Sequence, residues 1–549
     1  MLSIVWRELT KPFTLHLDWL VTWTAMQLVF MLPVTIQYWV DSLHVVMASI
    51  VTSWLLAFVA GLPRERIAKI LGRIITTVFV IMYIAEYVAF GLFGIPLGPD
   101  VALIVLGTNA REASEFIDVF ITFGAVCKLL VYLGAIVIIY FLCRWAGRRL
   151  WAQKHNKWVR AYLVVAFLFL VTISVQSIRK PIAMHYQTYP GRIVAMLSIP
   201  KAPDTASFLH RPKLQAVNPD LRPQKFVLII GESHCKNHSS IYGYEKLTNP
   251  LLGKMIADSS LYAFDNVESA DLTTIQAFTR FMSTYRGDDE EYWKYPTIPE
   301  VASIMGYSTM WLSTQDKAGY LAVPINSYAE LCDTAEFIHV YNPLTRSSAT
   351  IGHDSDILPV LDRHRTNNRS FYFVHLMGSH HKFNLRYPAY FAHFKPEDYP
   401  GRTKFEQEQT SYYDNSLLYN DFVLNSIINR FANDDAIIVY MPDHGLDMFV
   451  SSPERCCHGI PSDPISEHAG HQIPFFVYLS PSYAARQPQA AALVKATSQR
   501  SFSTKDKWDT TNLIYTILGL CGYRLPSDQE TTPPPTLFHP QPQPTQLVE

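Results

Sequence analysis

Five long apolar stretches in the first third of the chain constrain its fold more than any other feature. They run over residues 14–38, 43–62, 74–95, 117–143 and 161–178. A helix crosses about 30 Å of hydrocarbon with roughly 20 residues, so each stretch can form a membrane span. Only 25 of the 93 Asp, Glu, Lys and Arg residues lie in residues 1–180. The sequence therefore predicts a transmembrane domain of five helices at residues 1–180.

The distribution of Lys and Arg predicts the orientation of these spans. Residues 64–73 and 144–160 together carry ten Lys and Arg residues, whereas residues 96–116 carry one, Arg111. Cytoplasmic loops of membrane proteins are enriched in Lys and Arg. We therefore expect the two basic loops to face the cytoplasm. With five spans, the C-terminal part of the chain then lies on the outer side.

The C-terminal part reads as a separate α/β domain. Residues 181–224 are a proline-rich connector, which excludes one long helix and predicts short segments along the membrane surface. Residues 225–526 are predicted to form the outer domain, because short apolar runs alternate there with helical patterns. The runs are 226–230, 371–375, 436–441 and 475–479, and the helical patterns are 407–429 and 509–518. This alternation predicts a largely parallel sheet covered on both faces. The proline-rich tail at 527–549 is expected to be disordered.

The net charge limits the kinds of partner to expect, and the cysteine content limits the disulfides that can form. The net charge of −1 gives no electrostatic reason to expect nucleic acid as a partner. The outer domain holds an odd number of cysteines, which cannot all pair with one another. One or two disulfides are expected, with the connectivity left open, among Cys235, Cys332, Cys456, Cys457 and Cys521.

Polar residues follow the predicted strands at the points where the strands end. Glu232 follows the first strand, His380 follows the second, and Asp443 and His444 follow the third. Further histidines are His458 and, just before the fourth strand, His468 and His471. Ligands bind at the carboxyl ends of strands in open α/β sheets. A histidine at a strand end is commonly a hydrogen-bonded core or rim residue. The convergence of several such groups instead favours a metal site, and imidazole with carboxylate suits zinc.

The order of several motifs resembles the membrane phosphoethanolamine transferases of the alkaline phosphatase/sulfatase superfamily. These motifs are GES, YGY and TNP within 231–250, HLMGSH at 375–380, YDNSLLYNDFVL at 413–424, PDHG at 442–445 and CHG at 457–459. The resemblance covers the whole chain, since that family also has five spans and an outer catalytic domain. It implies a five-helix transmembrane domain followed by a sulfatase-type α/β domain. It also implies a multi-pass protein of the bacterial inner membrane with its catalytic domain in the periplasm.

The resemblance implies a zinc ion held by Glu232, Thr274, Asp443 and His444. Thr274 would be the nucleophile, at the start of a helix about 40 residues beyond Glu232, and Thr273 is the runner-up. A threonine pair before an apolar turn is also an ordinary helix cap, and that role is compatible with the catalytic one. Zinc coordination would lower the pKa of the threonine hydroxyl and neutralise charge at phosphorus.

The resemblance assigns roles to further residues, but less specifically. His380 and His458 match histidines that bind the phosphoryl group or a second zinc ion. His471 is a further candidate for that role, and His375 is expected to support them. Thr108 and Glu112, in the outward loop, match residues that contact the donor headgroup. A plain solvated helix is the alternative for this loop, because Ile104 occupies the position where the family has Asn.

One departure concerns the acceptor. The colistin-resistance branch of the family brackets its nucleophile with a cysteine pair, where this chain has Ala270 and Arg280. Lipid A is therefore a less favoured acceptor than for that branch. The resemblance implies transfer of phosphoethanolamine from phosphatidylethanolamine in the bilayer to a cell-envelope glycolipid or glycan, such as lipopolysaccharide core or lipid A.

Two alternatives remain open at this point. A membrane phosphoglycerol transferase or a sulfatase-type hydrolase would have the same zinc core. A transporter or sensor with a ligand-binding outer domain is an alternative of another class. Against that second alternative, the spans show no internal repeat of the kind common in transporters.

Overall fold

A computed structural model describes most of the outer domain and two helices that precede it. The described residues are Trp23, 65–93, 123–152, 210–287, 291–315, 323–339, 352–453, 455–457, 463–499, 508–525 and Thr536. They form two units, one before residue 200 and one after it. The connector before residue 210, the loop with Thr108 and Glu112, His458, and the tail apart from Thr536 lie outside the described residues.

The first unit contains two long helices, α1 (Glu65–Phe93) and α2 (Phe123–Ala152). They cover most of the third and fourth apolar stretches. Trp23 belongs to the first stretch, and its Nε1 donates a hydrogen bond of 2.9 Å to Oγ1 of Thr76 in α1. Within the described part of the chain, no helix combines the length and the apolar character needed to cross a membrane. The five spans therefore stay a prediction.

The second unit is built on a seven-stranded sheet. Its strands are β2 (Lys225–Gly231), β3 (Leu261–Phe264), β5 (Ser308–Ser313), β6 (Thr334–Phe337), β7 (Ser370–His375), β8 (Ala436–Pro442) and β11 (Phe475–Leu479). Their order across the sheet is β3-β11-β8-β2-β7-β5-β6. The pairs β2–β7, β2–β8, β5–β7 and β5–β6 are parallel, and β11 is antiparallel to both β8 and β3. Short two-residue strands form small ribbons at β1 (Gln215–Ala216), β4 (Val267–Glu268), β9 (Asp447–Met448), β10 (Cys456–Cys457), β12 (Trp508–Asp509) and β13 (Tyr523–Arg524).

Helices follow the strands along the chain. They are α3 (Pro250–Ala257), α4 (Thr274–Phe281), α5 (Ile298–Ile304), α6 (Val323–Glu330), α7 (Ile357–Arg363), α8 (Lys404–Arg430), α9 (Pro464–His471), α10 (Pro481–Arg486), α11 (Pro488–Ser498) and α12 (Leu513–Leu520). The longest of them, α8, begins with a capping box in which Oγ1 of Thr403 accepts from the N–H of Glu406 and the N–H of Thr403 donates to the Glu406 carboxylate.

The central strands are apolar on both faces because both faces of the sheet are covered. In β2, Phe226, Leu228 and Ile230 belong to one buried cluster, and Val227 and Ile229 belong to another. Successive side chains of a strand point to opposite faces, so this alternation places one cluster on each side. The predicted α/β domain with a largely parallel sheet is confirmed.

The structure adds strands that the sequence analysis did not identify and corrects one direction. The four predicted strands correspond to β2, β7, β8 and β11, whereas β3, β5 and β6 were not predicted. β11 runs antiparallel to its neighbours, a direction that hydrophobicity alone does not specify. The predicted helices at 407–429 and 509–518 correspond to α8 and α12.

Three of the described outer cysteines, Cys235, Cys332 and Cys521, have free thiols, so none of these three forms one of the expected disulfides. The thiol of Cys235, for example, donates a hydrogen bond of 2.9 Å to the carbonyl of Leu446. Burial raises the pKa of the Cys235 thiol to about 12, which keeps it protonated.

Candidate active site

The carboxyl end of β2 carries Glu232, which is almost completely buried. The hydroxyl of Ser233 donates to its Oε1 at 2.7 Å. Glu232 also holds the neighbouring loop after β7, because its carbonyl accepts a hydrogen bond of 3.0 Å from the N–H of Ser379. The side chain is therefore fixed at the sheet edge where the predicted site lies.

Asp443 and His444 follow the adjacent parallel strand, β8, and both are fully buried. The N–H of Asp443 donates to the carbonyl of Gly231 at 3.1 Å, which ties the ends of β8 and β2 together. Nδ1 of His444 lies 2.7 Å from the carbonyl oxygen of Gly445. Since a carbonyl can only accept, Nδ1 carries the proton and Nε2 presents its lone pair. Nε2 lies 3.3 Å from Oε1 of Glu232 and 3.4 Å from Oδ2 of Asp443.

The hydroxyl of Thr274 lies against this group. Thr274 is the first residue of α4, and its Oγ1 is 3.4 Å from Oε2 of Glu232 and 3.3 Å from Nε2 of His444. Thr273 is the residue that caps α4, and its hydroxyl instead donates to Oε1 of Gln276 at 3.1 Å, in an exposed position. The geometry therefore favours Thr274 over Thr273 as the candidate nucleophile.

The group can hold a metal ion. Glu232, Asp443 and His444 each offer a ligand atom, and these atoms lie within 4.8 Å of one another. Oδ2 of Asp443 is buried and accepts no hydrogen bond from the described residues. Burial, with the negative charge of Asp443, raises the pKa of Glu232 to about 8, and burial raises the pKa of Asp443 to about 6. Two buried carboxylates at this separation resist being charged together, and a divalent cation removes that conflict.

The other predicted histidines have different surroundings. His380 follows β7, and buried Arg386 donates hydrogen bonds of 3.1 Å to the carbonyls of His380 and His381. Burial lowers the pKa of His380 well below its ordinary value, and the charges of Arg386, His381 and His444 add to this effect. His380 is therefore neutral at physiological pH and can act as a ligand or proton acceptor.

His471 and His375 are held by neighbouring oxygens. His471 is the last residue of α9, and its Nδ1 lies 2.8 Å from the carbonyl oxygen of Ser269. Nδ1 of His471 is therefore the protonated nitrogen, which makes Nε2 the available ligand atom. His375 is buried at the end of β7, with Nδ1 3.1 Å from the Ser313 hydroxyl. Burial lowers the pKa of His375 to about 3, and its ring packs against Phe278, which agrees with a supporting position.

Three residues near the site were missed by the sequence analysis. Nε2 of Gln315 donates to Oε2 of Glu232 at 3.4 Å and to the carbonyl of Leu376 at 3.0 Å. Gln315 follows β5, so the strand-end argument would have found it if that strand had been recognised. Buried Asp354 accepts from the N–H of Gly378 at 2.8 Å and has no preceding strand to indicate it. Ser233 lies within the GES motif but was assigned no role.

Several residues of the recognised motifs support the loop after Glu232. Buried Asp414, from the YDN motif, accepts hydrogen bonds from Nδ1 of His238 at 2.8 Å, from Tyr244 at 2.7 Å and from Tyr399 at 2.6 Å. Asp421 accepts from two backbone N–H groups in the first turn of α3, both at 2.9 Å. These contacts attach residues 238–252 to α8. The YGY, TNP and YDN motifs therefore contribute to the scaffold of the site.

Comparison with known proteins identifies the family. The family described as Sulfatase matches residues 224–523, more than half of the chain. The chain belongs to this family, and the resemblance noted from its motifs is confirmed. Phosphoethanolamine transferase EptC of Escherichia coli strain K12 is 24% identical over 488 residues, covering 83% of this chain and 80% of the relative.

Two further relatives agree with this assignment. Kdo(2)-lipid A phosphoethanolamine 7''-transferase of Escherichia coli strain K12 is 25% identical over 313 residues, covering 55% of this chain and 52% of that protein. Among solved structures, the integral membrane protein lipooligosaccharide phosphoethanolamine transferase A (EptA) of Neisseria meningitidis matches with a TM-score of 0.63 and 18% identity. The match covers 94% of this chain and 96% of that protein, and it supports the fold.

Proposed function

We propose that this protein is a zinc-dependent phosphoethanolamine transferase of the cell envelope with Thr274 as its nucleophile. One observation carries the proposal: Oγ1 of Thr274 lies within 3.4 Å of both Glu232 and His444 at the ends of two parallel strands. A hydroxyl in this position can bind the same metal ion as the two buried carboxylates and the imidazole. The names of the relatives supply the transferred group, phosphoethanolamine.

Glu232, Thr274, Asp443 and His444 are the residues that hold the zinc ion in this proposal. Oxygen and imidazole ligands of this kind suit zinc. When bound, zinc lowers the pKa of a coordinated hydroxyl and offsets negative charge on a phosphoryl group. The Nδ1–H of His444, which is bonded to the Gly445 carbonyl, fixes the tautomer that presents Nε2 as a ligand.

The reaction proceeds by two displacements at phosphorus. Oγ1 of Thr274 attacks the phosphorus of phosphatidylethanolamine, the bond from phosphorus to the diacylglycerol oxygen breaks, and diacylglycerol leaves with a proton. The resulting phosphothreonine carries the ethanolamine. An oxygen of the acceptor then attacks phosphorus and loses its proton, while Thr274 regains one. Thr274 is the first residue of α4, and the first N–H groups of a helix have no partner within the helix, so this position favours the negative charge of a phosphoryl group.

Three histidines complete the proposed site. His380, His458 and His471 are assigned to bind the transferred phosphoryl group or a second zinc ion. A neutral His380 supports this role, because burial and the nearby charge of Arg386 lower its pKa well below the ordinary value. In His471, the bond from Nδ1 to the carbonyl of Ser269 leaves Nε2 as the ligand atom.

The donor, the acceptor and the location follow from the same proposal. Phosphatidylethanolamine in the bilayer is the donor, and Thr108 and Glu112 contact its headgroup. The acceptor is a cell-envelope glycolipid or glycan of the lipid A or lipopolysaccharide core type, consistent with the lipid A named for one relative. In this proposal the protein lies in the bacterial inner membrane, anchored by the five predicted spans, with its catalytic domain in the periplasm.

A covalent-intermediate experiment tests the proposal. The full chain is incubated in detergent with phosphatidylethanolamine and no acceptor, and it should release about one equivalent of diacylglycerol before slowing. Peptide mass spectrometry should place phosphoethanolamine on residues 271–280. Thr274→Ala should lose the adduct and transfer together, whereas the matched variant Thr273→Ala should keep both. Absence of an adduct with wild-type protein contradicts the double displacement.

The same assay separates the alternative enzymes. With phosphatidylglycerol as the donor, a phosphoglycerol transferase would leave phosphoglycerol on the peptide. A sulfatase-type hydrolase would convert phosphatidylethanolamine to diacylglycerol and free phosphoethanolamine in repeated turnovers without any acceptor. Mass spectrometry of envelope glycolipids with and without the active gene then identifies the acceptor.

A further inference from the structure

Ser233 contacts both carboxylates of the candidate metal site. Its hydroxyl donates to Oε1 of Glu232 at 2.7 Å, and its backbone N–H donates to Oδ1 of Asp443 at 3.3 Å. Ser233 is fully buried. One residue therefore fixes one oxygen of each carboxylate, which leaves Oε2 of Glu232 and Oδ2 of Asp443 to other partners.

The backbone of Ser233 adopts a conformation that few residues of its type adopt. Its φ is +52°, in the left-handed region that glycine favours. Residues held in such conformations persist where the surrounding structure fixes them.

A hydrogen bond from α8 fixes Ser233 in this conformation. The hydroxyl of Tyr413 donates to the carbonyl of Ser233 at 2.8 Å and accepts from the N–H of Cys235, also at 2.8 Å. Tyr413 is fully buried in the longest helix of the domain, and its ring packs against Phe383 and His238. The Tyr413 hydroxyl thus holds both sides of the turn that follows Glu232.

We infer that Ser233 is a positioning residue for the metal site and that Tyr413 anchors it. The inference rests on the proposed function, since it assigns these residues a role toward the zinc ion. Hydrogen bonds from neighbouring residues orient metal ligands, and removing such a bond lowers metal affinity by about 10- to 100-fold. The two carboxylates repel each other, so an orienting donor on each favours the arrangement that receives the cation.

Zinc affinity of the metal-free protein tests the inference without use of the transfer reaction. The full chain in detergent is stripped of metal and titrated with Zn²⁺ against a competing chelator. Ser233→Ala removes the hydroxyl, and Ser233→Gly removes the hydroxyl and also permits the left-handed backbone. Both should lose zinc affinity by about 10- to 100-fold. Equal losses in the two variants assign the effect to the hydroxyl.

A matched pair of tyrosine variants tests the anchor. Tyr413→Phe removes the bond to the Ser233 carbonyl and should lower zinc affinity. Tyr372→Phe also removes a tyrosine bond to a backbone carbonyl, the partly buried one from Tyr372 to His364 at 3.1 Å, and should leave zinc affinity unchanged. Melting of the metal-free proteins is measured in parallel. A merely structural role for Tyr413 would lower the melting temperature of both tyrosine variants alike and leave their zinc affinities equal.

The outcomes distinguish this inference from the proposed function. Wild-type zinc affinity in Ser233→Ala and Ser233→Gly overturns the role of Ser233, and equal affinities in the two tyrosine variants overturn the role of Tyr413. A wild-type protein that binds no zinc overturns both the inference and the metal site. A wild-type protein that binds zinc tightly but forms no phosphoethanolamine adduct overturns the proposed function and leaves the inference standing.

Discussion

Gly378 offers the sharpest test of how closely the loop after β7 packs against the candidate ligand Glu232. Its φ is +52°, and a Cβ added there would lie 2.7 Å from both the backbone N and the backbone O of Glu232. Gly401 provides the matched control, since its φ is +83° and nothing lies within 4 Å of an added Cβ. The variants Gly378→Ala and Gly401→Ala therefore share the backbone penalty but differ in steric overlap.

The expected magnitudes follow from these two contributions. The left-handed conformation costs a residue with a Cβ about 1–2 kcal/mol, which applies to both variants. Only Gly378→Ala must also displace the main chain of Glu232, and overpacking of this kind costs about 1–3 kcal/mol more. Gly378→Ala should therefore destabilise the domain more than Gly401→Ala by that second amount. Because the displaced atoms belong to a candidate ligand, zinc affinity should also fall in Gly378→Ala alone.

The assay is thermal unfolding of the full chain in detergent, with and without zinc, together with zinc titration against a chelator. Gly401→Ala should show a lower melting temperature and unchanged zinc affinity. Gly378→Ala should show a larger decrease and a smaller stabilisation by added zinc. Equal melting temperatures and equal zinc affinities for the two variants would refute the argument that Gly378 is required by the close approach to Glu232.

Three further predictions concern charge. The pKa of Glu232 is raised to about 8 and that of Asp443 to about 6, so the folded metal-free protein favours the neutral form of both carboxyls. The melting temperature of the metal-free protein should therefore fall as the pH rises toward 8. This decrease should be smaller in Glu232→Gln, which cannot lose a proton at that position. Asp414→Asn should cost about 1–3 kcal/mol in unfolding free energy, because an amide cannot accept all three of the hydrogen bonds from His238, Tyr244 and Tyr399. The control Asp265→Asn, in an exposed pair with a lysine, should cost under about 1 kcal/mol. Cysteines introduced singly into residues 144–160 should react with an impermeant reagent from the cytoplasmic side, and labelling of cysteines introduced into the outer domain from that side would contradict the topology.

The strands of the outer sheet could be predicted where their sequence is a continuous apolar run. The run around Ile229 is apolar on both faces, and such a run is typical of a central strand in a covered sheet. β5 escaped prediction because Ser308, Thr309 and Ser313 interrupt its apolar pattern, although those residues are paired within the sheet. The direction of β11 depends on how the chain returns to β8, which no local pattern records.

The positions of the candidate ligands were predictable for a physical reason that the missed residues do not share. Glu232 and Asp443 directly follow strands that were recognised, and neighbouring parallel strands end at one edge of the sheet. Thr274 instead enters the site from the start of α4, so its register against Thr273 needed three-dimensional contacts. Asp354 acts through backbone N–H groups of another loop, and no spacing in the sequence indicates such a contact.

The arrangement of the site implies that features which favour metal binding lower the stability of the metal-free protein. Glu232 and Asp443 are buried side by side, where both cannot readily be charged at once, and Ser233 bonds to both side chains while Gly378 packs against the main chain of Glu232. A metal-free protein free to relax would separate two such carboxylates or expose them to water. The scaffold formed by α8 and the loops instead keeps them in place before the cation arrives, so little reorganisation accompanies binding. Variants that relax this scaffold should therefore gain stability without metal only by losing affinity for it.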